Sequence, residues 1–264
     1  MNPVPARPAG PGGSAGGHGR DPMAEAAQRR VVEERLGHLR PEAMEAIRSC
    51  RGREFQRLEL IGDSLLEVVL HAHSVIVGPG CPYCGGRADH FTTDANLGEL
   101  GRAIGLGAWL DWNPSEHRLA DLVEASVGAA WVSGRWPQVV AFVAAELHPL
   151  PEGEQRRLLH GGASLHAEAP ARAREILGAA ILEAAASTGA YLQHPEGDEG
   201  DLSRVKARML STEHVMGRCR ESKWVRRSLR TRRFDRDDVE VLLAEDLLGH
   251  GLASAVSLAW PLTR

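Results

Sequence analysis

Residues Arg57–Leu70 read RLELIGDSLLEVVL, and this stretch decides the fold because it is strongly apolar and yet carries acidic residues. Its Leu, Ile and Val residues predict a long, largely buried helix. Glu59 and Asp63 are four residues apart, so that helix presents two carboxylates on one face. Like charges in a half-buried setting repel each other. The sequence therefore predicts that something else in the molecule compensates them.

The composition is that of an ordinary globular protein of 264 residues, with 43% hydrophobic and 25% charged residues. This length suggests one large domain or two modest ones, and the net charge of −4 gives no overall sign of nucleic-acid binding. No apolar run approaches the ~20 residues of a membrane helix. The Gly/Pro/Ala-rich segment Met1–Pro22 lacks a secretory signal, and we predict a disordered tail and a cytoplasmic location.

Helical patterns dominate the rest of the chain and alternating strand-like runs are scarce, so we predict an all-α fold. GPGCPYCGG, from Gly78, is predicted to be a loop, and HPLPEGEQ, from His148, a linker. Helices are expected at Met23–Leu36, from Pro41 onward, and at Phe55–Val77, Ala95–Ile104, Ala120–Val132, Ala171–Tyr191, Asp201–Cys219 and Asp237–Trp260.

A second pair of acids lies in RLADLVEASVGAAWVSG, from Arg118 to Gly134. Asp121 and Glu124 are three residues apart and again share one face of a predicted helix. Four converging carboxylates suit Mg²⁺, which prefers oxygen ligands, and two such ions stabilise the attacking and leaving oxygens of a phosphoryl displacement. From spacing alone the alternative stays open that these acids are solvent-facing residues or cap partners.

Two motifs resemble the ribonuclease III family. FQRLELIGDSLL, from Phe55, is similar to its first motif, and RLADLVEASVGAAWVSG to its second; FTTDANLGELGRAIGLGAWL, from Phe91, resembles the segment between them. The resemblance implies a Mg²⁺-dependent endonuclease of double-stranded RNA, with Mn²⁺ expected to substitute for Mg²⁺. The implied metal-binding and catalytic residues are Glu59, Asp63, Asp121 and Glu124. Gln56 departs from the family, which usually has Glu there.

The second half of the chain resembles a degenerate copy of the first. In REILGAAIL, from Arg174, Glu175 matches Glu59 and Ala179 replaces Asp63. In VLLAEDLLGHGLASAV, from Val241, we match Glu245 with Glu124, and Leu242 then replaces Asp121. YLQHPEGDEGDLSRVKARMLS, from Tyr191, resembles the family's helix between the motifs. A copy with two of four ligands should bind Mg²⁺ poorly.

The resemblance implies two ribonuclease III-type helical domains packed as an intramolecular pseudo-dimer, similar to the tandem domains of Dicer-type enzymes. We place a catalytic domain at 23–150 and a degenerate one at 151–264, with no double-stranded-RNA-binding domain. One competent site per chain predicts nicking or asymmetric cutting of double-stranded or structured RNA by two-metal hydrolysis. The alternatives are a non-catalytic RNA-binding or ribosome-associated scaffold, and a small-molecule phosphohydrolase, whose His-Asp pairs the chain lacks. A protein partner or a further association of chains is compatible with both the nuclease and the scaffold interpretation.

A basic block extends from Arg204 to Arg233 in the second half. Clustered cations bind phosphate backbones, whereas the alternative is a solvated helix face. The RNA-binding candidates are Arg204, Lys206, Arg208, Arg226, Arg227 and Arg230.

The cysteines suggest one structural metal site. Cys81 and Cys84 lie in GCPYCGG with the spacing of a zinc knuckle. His90 and Cys50 are candidates for the remaining ligands, as are His71 and His73. The alternative is a loop with free thiols. Four cysteines do not make a disulfide scaffold in a chain this long, and Cys219 is expected to be buried.

Overall fold

The computed structural model describes residues 22–77, 91–108, 110, 113–162, 171–229 and 233–264. These residues form α-helices and short turns and no strand, which confirms the all-α prediction. The helices are α1 (Pro22–Leu36), α2 (Pro41–Ser49), α3 (Arg53–Val77), α4 (Asp94–Ala103), α5 (Glu116–Val132), α6 (Trp136–Phe142), α7 (Glu152–His160), α8 (Ala171–Gln193), α9 (Glu199–Met209), α10 (Thr212–Glu221), α11 (Lys223–Leu229), α12 (Arg236–His250) and α13 (Leu252–Thr263), with a π-helical turn at Val143–Leu147 after α6.

Short polar side chains define where several helices begin. The hydroxyls of Thr93, Ser115 and Ser211 accept hydrogen bonds from backbone N–H groups in the first turns of α4, α5 and α10. Asp198 and Asp235 form capping boxes at the starts of α9 and α12. Each cap satisfies backbone donors that have no partner within the helix.

Helices α3 and α5 cross with their backbones in close contact. A Cβ atom on Gly62 would lie 1.8 Å from the carbonyl oxygen of Glu124, and one on Gly128 would lie 2.0 Å from that of Leu58. Only glycine permits this approach. The crossing therefore fixes the register of α3 against α5, and with it the relative positions of their acids.

Helix α3 also packs antiparallel to α8 of the second half. The hydroxyls of Ser64 and Ser187 are 2.8 Å apart in the buried centre of this contact. At one end the buried guanidinium of Arg57 donates hydrogen bonds to the carbonyl oxygens of Tyr191 (2.8 Å) and Pro195 (2.6 Å), just where α8 ends. On its other side α8 packs against α12 and α13. Residues 23–150 and 151–264 thus share one apolar core.

Two helix predictions and one linker prediction differ from the structure. The helix expected at Asp201–Cys219 is two helices, α9 and α10, because Ser211 caps a new start. The helix expected at Asp237–Trp260 breaks at Gly251, whose φ of 88° no continuous α-helix adopts. The linker expected from His148 already enters α7 at Glu152.

Two predicted segments fall on residues outside the described ranges. They are the N-terminal tail, except for Pro22, which begins α1, and the Cys-containing loop. Within the described ranges no helix combines the length and apolar character needed to cross a membrane.

Candidate metal centre

The α3–α5 crossing brings three of the four predicted acids together. One carboxylate oxygen each from Glu59, Asp121 and Glu124 lies within 4.8 Å of the other two, and among the described residues this is the one group of three or more acidic, His or Cys side chains placed to hold a metal ion. Glu59 comes from α3 and the other two from α5. We call these residues the acidic triad.

The acidic triad is electrostatically unfavourable without a cation. Burial, followed by the charges of Asp63, Glu59 and Asp121, raises the pKa of Glu124 to about 9. Burial and the charge of Asp121 raise the pKa of Glu59 to about 7. Burial also raises the pKa of Asp121, although His117 and Arg118 oppose it. A divalent cation among the three carboxylates would relieve both the repulsion and the loss of hydration.

Arg118 and His117 hold Asp121 in place. Arg118 Nη1 lies 3.0 Å from Asp121 Oδ2. His117 Nδ1 lies 2.9 Å from Asp94 Oδ2 on α4 and 3.6 Å from Asp121 Oδ1. Their role could not be predicted from the sequence, although His117 directly precedes the second motif and Arg118 is its first residue. They fix the orientation of one triad carboxylate and leave those of Glu59 and Glu124 without a described basic partner of their own.

The donor set of the acidic triad fits a hard divalent ion. All three groups are carboxylates, the ligand type that Mg²⁺ and Mn²⁺ prefer, and neither thiolate nor imidazole belongs to the set. Three protein ligands leave coordination positions for water or a phosphate oxygen. Glu59, Asp121 and Glu124 are therefore the residues that would hold Mg²⁺.

Asp63, the fourth predicted acid, does not belong to the acidic triad. It lies one turn after Glu59 on α3, and its charge is among the causes that raise the pKa of Glu124, so it borders the site. Burial raises the pKa of Asp63 itself, Lys206 of α9 lowers it and Glu183 of α8 raises it. The charge of Asp63 thus interacts both with the acidic triad and with residues of the second half of the chain.

The second half repeats the helix crossing, in a different register from the one predicted. A Cβ atom on Gly178 of α8 would lie 1.9 Å from the carbonyl oxygen of Glu240 on α12, just as one on Gly62 would meet Glu124. Gly178 lies 116 residues after Gly62, and Glu240 lies 116 residues after Glu124. Glu240, not Glu245, is therefore the counterpart of Glu124. The prediction was wrong because LLAEDLL and VEVLLAE carry equally good apolar patterns.

With this spacing, Asp237 and not Leu242 is the counterpart of Asp121, so three of the four acids recur and only Asp63 is replaced, by Ala179. The recurring glutamates have arginine partners. Arg236 Nε lies 2.6 Å from Glu240 Oε1, and Arg172 Nη1 lies 2.9 Å from Glu175 Oε2. In the second half, arginine side chains thus pair with two of the three recurring acids, Glu175 and Glu240.

The predicted RNA-binding residues lie in two places. On α9, Arg208 is exposed, Arg204 pairs with Asp201, and Lys206 is largely buried beside Glu183. On α11, Arg226 and Arg227 are exposed. Arg230 lies outside the described residues.

Of the predicted zinc ligands, Cys81, Cys84 and His90 lie outside the described residues. Cys50 is buried at the end of α2, and burial raises the pKa of its thiol to about 11. His73 is buried with its ring centroid 4.1 Å from that of His148. Cys219 is buried, as predicted.

A search with protein-family models returned no match to this chain, and neither did a search of the curated proteins.

Proposed function

We propose that this chain is a Mg²⁺-dependent endoribonuclease that hydrolyses phosphodiester bonds of double-stranded or structured RNA. The observation that carries the proposal is the acidic triad, three partly or fully buried carboxylates that converge at a glycine-mediated helix crossing. A protein that only bound RNA would have no need to bury mutually repelling acids. The motif resemblance to ribonuclease III agrees with this placement.

Each residue of the site has a distinct role in this proposal. Glu59, Asp121 and Glu124 bind the metal, and Arg118 lowers the pKa of Asp121 and orients its carboxylate by a 3.0 Å ion pair. Bound Mg²⁺ supplies an activated water and neutralises charge on the phosphate. By the family resemblance, cleavage leaves 5′-phosphate and 3′-hydroxyl ends.

In this proposal, exposed basic residues of the second half hold the RNA backbone. Glu199, the first residue of α9, contributes to the raised pKa of Glu59, so the start of α9 borders the metal centre. Further along this helix, Arg204 and Arg208 line an open cleft of about 500 Å³ together with His194, and Glu196 and Asp201 also line it. Phosphate contacts of this kind give affinity without sequence specificity.

We also propose that residues 23–150 and 151–264 are two copies of one helical unit, arranged as a pseudo-dimer. The repeated Gly62–Glu124 and Gly178–Glu240 crossings and the antiparallel α3–α8 contact support it. Because Ala179 replaces Asp63 and arginines pair with Glu175 and Glu240, we expect one active site per chain. The expected product is a nicked duplex.

The test is cleavage of an RNA duplex that carries a different label on each strand. With Mg²⁺, wild-type protein should nick one strand per binding event. Glu124→Gln should lower the rate on the order of 10³-fold while RNA binding persists. Glu240→Gln is the matched control in the second copy and should retain the wild-type rate.

Two results would contradict the proposal in different ways. Binding without Mg²⁺-dependent cleavage by the wild-type protein would favour the non-catalytic scaffold. Equal cutting of both strands by a proven monomer, with a loss of activity in Glu240→Gln, would show that the second copy is also active.

A further inference from the structure

Two buried histidines contact each other at the end of α3 that is remote from the acidic triad. His73 and His148 are 3% and 1% exposed, and their ring centroids lie 4.1 Å apart. We call them the histidine pair. His73 follows Glu59 by fourteen residues on α3, which is ~21 Å at the rise of an α-helix. The histidine pair therefore takes no part in the proposed nuclease site.

A rare backbone conformation brings His148 to this place. The π-helical turn Val143–Leu147 ends directly before it, and the His148 N–H donates a 2.8 Å hydrogen bond to the carbonyl oxygen of Val143. Single π-helical turns are frequent at functional sites. Burial lowers the pKa of both imidazoles, to about 4 for His73, so both rings are neutral at pH 7. Neutral imidazole is the form that binds metal ions.

The histidine pair also lies beside both ends of the Cys-containing segment. Val77, the last described residue before this segment, is one turn of α3 after the first histidine. The ring of Phe91, the first described residue after it, lies 4.8 Å from that of His148. Cys81 is four residues after Val77 and Cys84 is seven residues before Phe91, and a chain spans up to ~14 Å and ~24 Å over these lengths. The chain is thus long enough for both thiols to reach the histidine pair.

The length of α3 excludes Cys50 from a site at the histidine pair. Arg53, the first residue of α3, precedes His73 by twenty residues, which is ~30 Å along the helix axis. Cys50 lies three residues before Arg53 and is therefore at most ~11 Å from it. At least ~19 Å separates the Cα atoms of Cys50 and His73, which is too far for both side chains to bind one ion.

We propose that His73 and His148 are two ligands of a structural Zn²⁺ ion. Structural zinc sites are tetrahedral and combine imidazole with thiolate, and the spacing of Cys81 and Cys84 predicts the two thiolates. Zinc would fasten the end of α3 to the turn that follows α6 and so stabilise the first half of the chain. This inference goes beyond the proposed function and does not depend on it, because the acidic triad offers carboxylates alone.

The test is the zinc content and the zinc X-ray absorption spectrum of the full-length wild-type protein after loosely bound metal has been removed. We expect one Zn²⁺ per chain, with two imidazole nitrogens at ~2.0 Å and two sulfurs at ~2.3 Å. Co²⁺ in place of Zn²⁺ should give the intense visible absorption of a tetrahedral site. Glu124→Gln should hold the same ion, which distinguishes it from metal bound at the acidic triad.

Variants of the histidine pair test the ligands one by one. His73→Gln and His148→Gln should each weaken zinc binding by at least the ~10²-fold that a change outside the ligand shell can cost, measured by competition with a chelator. His71→Gln is the matched control, because residue 71 lies two positions before His73 and ~200° from it around the helix axis. It should keep the wild-type affinity, as should Cys50→Ser.

Three results would overturn the inference. They are a wild-type chain that binds neither Zn²⁺ nor Co²⁺, a zinc spectrum with fewer than two imidazoles, and an unchanged zinc affinity in folded His73→Gln or His148→Gln. The histidine pair would then be a packing contact of the core. The wild-type spectrum decides the matter if the variants do not fold. None of these results bears on Mg²⁺-dependent cleavage, which the acidic triad carries.

Discussion

Replacing Glu124 by glutamine should stabilise the metal-free protein above pH 5 while abolishing its response to Mg²⁺. The pKa of Glu124 is about 9 in the fold, against an ordinary value of 4.5. The folded state therefore binds a proton that the unfolded state has released, and stability falls as the pH rises from 4.5 to 9. At ~1.4 kcal/mol per pH unit, this cost reaches up to ~3 kcal/mol at pH 7.

Glutamine has the shape of the protonated acid and carries none of this cost. Metal-free Glu124→Gln should therefore unfold at a temperature roughly 6–12 °C above metal-free wild type at pH 7, and close to it at pH 4.5. With Mg²⁺ at 100 times its Kd the wild type should gain ~2.7 kcal/mol, and the variant far less. Thermal and urea unfolding at several pH values, with EDTA or Mg²⁺, measure both effects.

The matched control is Glu240→Gln, at the position of the second half that corresponds to Glu124. Glu240 lies outside the acidic triad and pairs with Arg236, so this substitution should leave the Mg²⁺-dependent gain at its wild-type size. The reasoning would be refuted by a Glu124→Gln protein that is less stable than wild type at pH 8 without metal. A variant that keeps the full Mg²⁺ gain would refute it equally.

Two further substitutions test the packing that builds the site. Gly62→Ala should prevent folding or abolish Mg²⁺ binding, because its Cβ would lie 1.8 Å from the Glu124 carbonyl oxygen. Gly217→Ala, with open space around it, should instead add up to ~1 kcal/mol of helix stability. A folded Gly62→Ala protein with a wild-type melting profile would contradict this. Arg57→Met should cost ~3 kcal/mol in urea unfolding, because it removes the bonds to the end of α8 and the ion pair with Glu54. A loss below ~1 kcal/mol would show that this contact is dispensable.

Much of the fold could be predicted from the sequence because its signals are local. Long apolar helices such as Arg53–Val77 and Ala171–Gln193 follow from a dense pattern of Leu, Ile, Val and Ala. The position of Gly251 as a helix end is also visible in GHGLAS, but the apolar residues on both sides outweigh it in a single-sequence analysis. The structure shows two helices there because its positive φ is incompatible with one.

The destination of Asp63 could not be predicted. Residues four apart differ by about 40° around a helix axis, so Glu59 and Asp63 share a face in any helical projection. Helix α3, however, is packed between α5 and α8, and only Glu59 joins Asp121 and Glu124 of α5 in the acidic triad. The charge of Asp63 acts on Glu124, and its own pKa responds to Lys206 of α9 and Glu183 of α8. Which neighbour a side chain meets depends on contacts between distant helices, and nothing in the local pattern encodes them.

The same electrostatic problem has two kinds of solution in this molecule. Arginines on neighbouring turns form ion pairs with Glu175 and Glu240, and Arg236 lowers the pKa of Glu240 although burial still raises it. Among the described residues no arginine forms an ion pair with Glu59 or Glu124, and burial and neighbouring acids raise the pKa values of both. An internal cation cannot leave coordination positions open for a phosphate oxygen, whereas a bound metal ion can. The half of the chain that tolerates uncompensated acids is therefore the half in which catalysis is to be sought, since strain of this kind is retained where function requires it.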